Sequence, residues 1–191
     1  MPINFESNKS YSGAGAILIG IGTVIPAVGI IGVILLYIGL RELSYYYQDA
    51  DMLKNTFYGF SFGILATILF TVMTLTYIPA LLFSIVSKFL SSPTEVFKEI
   101  ISPFFFDLII ILFIMFALFL LESVFFKKTF NALSSTTGVK TFNTGGLFLL
   151  IGSVLIIFFI GFVILLITWL IIAKAFFSLK PSSESNNHGH L

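Results

Sequence analysis

The sequence predicts an all-α, polytopic helical membrane protein, and three observations carry that prediction. Four long apolar stretches, 14–40, 57–86, 104–121 and 147–173, have the length that crosses a bilayer core, ~20 residues within a range of ~17–25. Charged residues make up only 10% of the 191, too few to cover a water-facing surface, and mean hydropathy is +1.07. The runs are continuously apolar, whereas the strands of a membrane barrel alternate apolar and polar residues.

The same composition excludes several function classes. A net charge of +1 gives no basis for binding nucleic acid. Without cysteine there is no disulfide, thiolate nucleophile, cysteine-bound zinc or iron–sulfur cluster. No GxGxxG or Walker pattern occurs, and serine-rich loops with no histidine nearby hold no activated nucleophile. The two histidines, His188 and His190, lie in a polar tail and make a poor metal site. The expectation is a protein that is no enzyme and uses no cofactor.

Taken in order, residues 1–12 form a polar lead, retained because the apolar run behind it is too long for a signal peptide. One transmembrane domain then covers 13–178. As a single straight helix, 13–47 would run ~52 Å, well beyond the hydrocarbon core. Pro26 removes a backbone donor and Gly29 tolerates turn conformations. The stretch is therefore either one kinked span or a hairpin of segments 13–25 and 28–47. Tyr45, Tyr46 and Tyr47, beside Arg41 and Glu42, have the composition of an interfacial anchor, and Asp49 or Asp51 suits the cap of the next helix.

The segment 56–78 carries Gly59, Gly63, Thr67 and Thr71 at four-residue spacing, which predicts a small-residue packing face in preference to a pore lining. Pro79 kinks or ends it. Ser92-Pro93-Thr94-Glu95 has capping-box spacing and opens an amphipathic interfacial helix over 93–102, after which Pro103 turns the chain inward. The phenylalanine-rich segment 103–126 holds Asp107 and Glu122, the candidate intramembrane polar residues. They lie ~22 Å apart along a helix and ~60° apart around it. Each also has a structural explanation: Asp107 near a helix N-terminus, Glu122 within reach of Lys127 and Lys128. A polar connection over 129–146 leads to segments 145–158 and 161–177, broken at Gly161. A weak echo at an offset of 132 residues pairs Gly29 with Gly161. The tail, 179–191, has the composition of a disordered segment.

Charge selects among topologies, because cytoplasmic loops hold an excess of Lys and Arg. Four single spans divide the ten cations five against five, and six segments with both end stretches as hairpins divide them eight against two. The rule favours six segments, a cell-membrane location and cytoplasmic termini.

The combination GAILIGIGTVIPAVGIIGVILLYIGLRELSYYY, NTFYGFSFGI and GGLFLLIGSV…ITWLIIAKAFFSLKP resembles an archaeal family of uncharacterised multi-pass integral membrane proteins, a domain-of-unknown-function family. The resemblance spans about residues 12–181 and implies an archaeal cell membrane. It brings no activity or site residue. The residues rank three roles: an accessory or structural component that binds other membrane proteins or itself within the lipid bilayer, a small transporter or channel using Asp107 and Glu122, and a lipid-binding or membrane-shaping protein.

Overall fold

A computed structural model describes residues 4–91 and 102–181, with the side chains of 88, 91, 102–105 and 107 outside that description. The described chain is helical throughout. Its helices are α1 (Phe5–Gly22), α2 (Pro26–Tyr46), α3 (Ala50–Val72), α4 (Ile78–Ser91), α5 (Ser102–Thr137), α6 (Thr141–Leu155) and α7 (Ile160–Phe177). A π-turn over Met73–Tyr77 joins α3 to α4, and a 3₁₀ turn over Ile156–Phe158 follows α6.

Six of these helices close a ring. Each packs on the next: α1 on α2, α2 on α3, α3 on α5, α5 on α6, α6 on α7, and α7 back on α1. The ring consists of three up-and-down pairs whose connections 47–49 and 138–140, with residues 4 and 181 at the two ends of the described chain, share one end of the molecule, the base. The outer pairs turn back after 18 to 21 residues, whereas α5 runs for 36, ~54 Å. The first half of α5 and all of α4 therefore project beyond the ring, and their apolar side chains, among them Phe83, Leu90 and Phe113, are exposed. Among the described residues, five segments are long and apolar enough to cross a membrane: Pro26–Tyr46, Ala50–Ser87, Leu108–Thr137, Thr141–Phe158 and Ile160–Phe177.

The expected segment 13–25 is not among the five. Helix α1 reaches 18 residues only by taking in most of the supposed polar lead. Asn4 caps it by accepting from the Ser7 N–H at 3.2 Å, and Phe5 is buried against Tyr46 with ring centroids 5.0 Å apart. The same correction applies at three other places along the base. Helix α3 starts at Ala50, capped by Asp49, which accepts from the Met52 N–H at 2.7 Å. Helix α5 continues eleven residues past 126, and α6 starts at Thr141. Beyond the apolar zone these helices turn amphipathic, and a core forms between them from Leu43, Met52, Phe130, Leu133, Phe142, Phe176 and Leu179. Hydropathy marks the long apolar lengths and misses this collar.

The breaks also fall differently from the expectation. The first turn is Thr23–Ile25, with Pro26 at the first position of α2, where its missing N–H costs nothing. Gly29 is not in the turn; it is buried one turn into α2 against Gly22. Similarly the second break is at Phe159, which has φ 60°, and Gly161 lies just inside α7. A methyl on Gly161 would collide with the backbone of Ile156 and with the Gly152 carbonyl, so glycine lets α7 press on the end of α6. Pro79 ends nothing. The π-turn before it sends the Ile78 N–H back to the Met73 carbonyl, which widens the helix where the proline ring would clash. Pro103 is the second residue of α5, and the predicted interfacial helix 93–102 lies outside the described residues except for Ser102, which begins α5.

Glycines set the ring's tightest seams. On α1, Gly15 and Gly22 face α2, and Gly13 and Gly20 face α7. Opposite them on α2, Gly32 receives Ile19 and Gly39 receives Ser12. Lipid tails give helices no hydrophobic reason to associate, so backbone approach of this kind supplies the van der Waals contact instead.

Of the three tyrosines, Tyr45 alone points outward, with the Arg41 guanidinium 5.7 Å from its ring centroid. Tyr46 and Tyr47 pack edge to face at 5.0 Å against the collar core. Of the three expected anchor residues, two are therefore turned toward the protein core.

Candidate functional site

The described interior holds one charged side chain, Glu122, which is 7% exposed. It is held there by a gap in α3. A methyl on Gly63 would lie 2.8 Å from Glu122 Oε1, so the carboxyl group occupies the space that glycine leaves. One turn toward the base, Gly59 similarly receives the ring of Phe126, whose atoms would lie 3.1–3.2 Å from an added methyl. Of the face expected from Gly59, Gly63, Thr67 and Thr71, the two glycines pack on α5 inside the chain. Thr67 and Thr71 donate their hydroxyls to carbonyls of their own helix, those of Gly63 and Thr67, both at 2.8 Å.

Glu122 does not reach Lys127 or Lys128. The Lys128 ammonium lies 5.4 Å from the Phe125 ring centroid, and Lys127 passes close to Gly146 of α6. Among the described residues no cation and no hydrogen-bond donor pairs with the Glu122 carboxylate. Asp107 shares helix α5, ~22 Å further along it, and its side chain lies outside the described residues. No path from one carboxylate to the other is described.

Glu122 lines a cavity of about 50 Å³ within the ring. Its walls come from five of the other elements: Thr23 and Gly22 at the end of α1, Gly29 of α2, Thr67 of α3, Ser153 of α6 and Trp169 of α7. The first helix break borders it at Thr23, and Ile156, which opens the 3₁₀ turn before the second break, also lines it. On the base side Trp169 meets Phe126 edge to face at 5.9 Å and Phe130 at 6.3 Å, closing the ring interior with aromatic side chains. On the other side Phe70 stacks on Phe162 at 5.9 Å. At ~10–15 Å³ for each water centre, the cavity has room for roughly three or four water molecules.

Sequence reasoning found Glu122 and Thr67 but missed Thr23, Ser123 and Ser153. Isolated hydroxyls in apolar helices carry no pattern, and only the fold assembles them. No group of three or more His, Cys, Asp or Glu able to hold a metal ion occurs among the described residues.

Comparison with known proteins places the chain by sequence. An uncharacterised protein of the archaeon Methanocaldococcus jannaschii is 25% identical over 189 residues, covering 97% of this chain and 98% of that one. No solved structure matches. The family described as "Protein of unknown function (DUF996)" matches residues 28–170, which include nearly all of α2 through most of α7 and with them Glu122, Gly63 and the second helix break, whereas the first break precedes the match. The chain belongs to that family.

Proposed function

We propose that the chain is a small transporter or channel of the cell membrane, in which the solute path passes through the Glu122 cavity. One observation supports this reading above the others: a carboxylate buried in an apolar ring, next to open volume, with no partner among the described residues. Burying an unpaired ionisable group is costly, and inside membrane helices such groups mark ion and substrate paths. The broken helices support it too, since interrupted segments in matching positions of two halves border the binding sites of known transporter folds. Part of the support for the accessory role was the Gly59/Gly63 face, and those two glycines are filled from within by α5.

The orientation follows the positive-inside rule. Lys9, Arg41, Lys54, Lys127, Lys128, Lys140, Lys174 and Lys180 all sit at the base, whereas Lys88 is on the projecting α4. The base with both termini is therefore cytoplasmic, and the cavity opens toward the far side when Phe70 and Phe162 part. Purified protein in liposomes tests the reading through proton, sodium and potassium flux down imposed gradients. Flux that falls at least ~tenfold in Glu122→Gln is expected, the loss that goes with ~1.5–3 kcal/mol for a charged contact. Wild-type liposomes no leakier than empty ones, or flux indifferent to Glu122→Gln, would sink it.

A further inference from the structure

We propose that the Glu122 cavity is a binding site for one small monovalent cation that competes with a proton for the carboxylate. The inference rests on the transport reading for its purpose, but its chemistry stands on the cavity wall alone. Four hydroxyls line or border the space around Glu122: Thr23, Thr67, Ser123 and Ser153. Each has already donated its hydrogen to a carbonyl of its own helix, to Gly20 at 2.8 Å, Gly63 at 2.8 Å, Leu120 at 2.8 Å and Leu149 at 2.9 Å. A hydroxyl has one hydrogen and two lone pairs, so what remains toward the cavity is acceptor oxygen. One negative charge in a wall with four hydroxyls whose hydrogens are already given away attracts a cation and repels an anion.

The count of charges sets the valence. Hard divalent cations are ordinarily held by several oxygens with more than one carboxylate among them, and here the described wall holds one titratable group. The other elements face the cavity with uncharged residues: Thr23 of α1, Gly29 of α2, Thr67 of α3, Ser153 of α6 and Trp169 of α7. A single positive charge neutralises the site. Size points the same way, because about 50 Å³ admits an ion with a water or two and is far below the ~300–1,000 Å³ of organic-ligand pockets. The exchange balances: a protonated Glu122 takes up the cation and releases one proton to solvent, leaving a carboxylate–cation pair with no change in the charge of the site.

Purified full-length protein in detergent tests this without any flux. Its unfolding midpoint is followed at constant ionic strength in sodium, potassium or ammonium chloride against choline chloride, whose cation is too large for the cavity. At least one small cation should raise the midpoint saturably, with an apparent affinity that strengthens up to tenfold per pH unit while the carboxyl still holds its proton. Adding that cation in weak buffer should release about one proton per site. Ser153→Ala should weaken the affinity several-fold, and Glu122→Gln should abolish the response. Superimposed midpoints in all four salts overturn the proposal, and so does a midpoint that follows pH but not the cation, which assigns the site to the proton alone. Either result leaves the transport reading to its own flux test.

Discussion

Replacing Gly15 by alanine separates backbone contact from helix propensity, because Gly20 on the same helix offers a matched control. A methyl on Gly15 would lie 2.8 Å from both Leu36 Cα and the Gly32 carbonyl oxygen, and closer still to the Leu36 nitrogen. Carbon contacts settle at ~3.5–4.0 Å, so α1 and α2 must part by ~1 Å, and such a gap forfeits a quarter to a half of the attraction along the seam. Neighbouring backbone cannot swing aside as a side-chain end can. Overpacking of this kind costs ~1–3 kcal/mol, offset by up to ~1 kcal/mol because alanine is the better helix former. Gly15→Ala should therefore lose ~1–2 kcal/mol. A methyl on Gly20 would meet Trp169 Cβ at 3.5 Å and the Leu166 carbonyl oxygen at 3.6 Å, which are ordinary contacts. Gly20→Ala should be neutral or gain up to ~1 kcal/mol. Unfolding titrations in mixed detergent, read by far-UV circular dichroism, give both values under one condition. A Gly15→Ala protein as stable as Gly20→Ala would refute the claim that the α1–α2 seam is set by backbone approach.

Other expectations follow from single features. Phe159 holds φ 60° on an exposed break, a conformation costly for a bulky residue, so Phe159→Gly should stabilise by ~1 kcal/mol in the same titration. The Tyr47 phenol, just past the end of the Pro26–Tyr46 segment, is pushed up to about 12 by burial and, secondarily, by neighbouring Tyr46. The unfolded phenol ionises near 10, so its contribution to stability is complete below pH 10 and lost as pH rises toward 12; Tyr47→Phe should flatten that part of the alkaline unfolding curve. Gly63→Ala, which pushes directly on the Glu122 carboxyl, should reduce liposome flux more than Gly59→Ala, whose methyl meets only the Phe126 ring. Equal effects would mean that the carboxyl's position is immaterial.

What was legible in the sequence was the lipid-facing surface. Long apolar runs, Pro26 and the division of cations were enough to predict helices, a break in each end stretch and a shared base. The extents of the helices were not legible, because Phe5, Phe130 and Phe142 build the collar core on amphipathic turns that hydropathy scores as polar connection. Nor were the glycines read fully. Gly59 and Gly63 stood out as GxxxG, whereas the two interleaved pairs on α1, Gly13 with Gly20 and Gly15 with Gly22, repeat every seven residues and face different neighbours. Glu122 was visible as a lone acid, but its reach to Lys127 was the wrong partner: sequence distance along α5 says nothing of the space that Gly63 opens across from it.

The closure of the ring also has a consequence for biogenesis. Helix α7 leaves the ribosome well after α1, and it supplies the Phe177 and Trp169 that cover Gly13 and Gly20 of α1. Until then a glycine-lined stripe of α1 stands open to lipid. The Lys9 ammonium, which donates to the Leu179 carbonyl at 3.3 Å, joins the first helix to the residue just after the last. Nascent chains arrested before residue 160 should therefore carry an α1–α2 pair with an unclosed side, and that side is where membrane quality control would find an unfinished molecule.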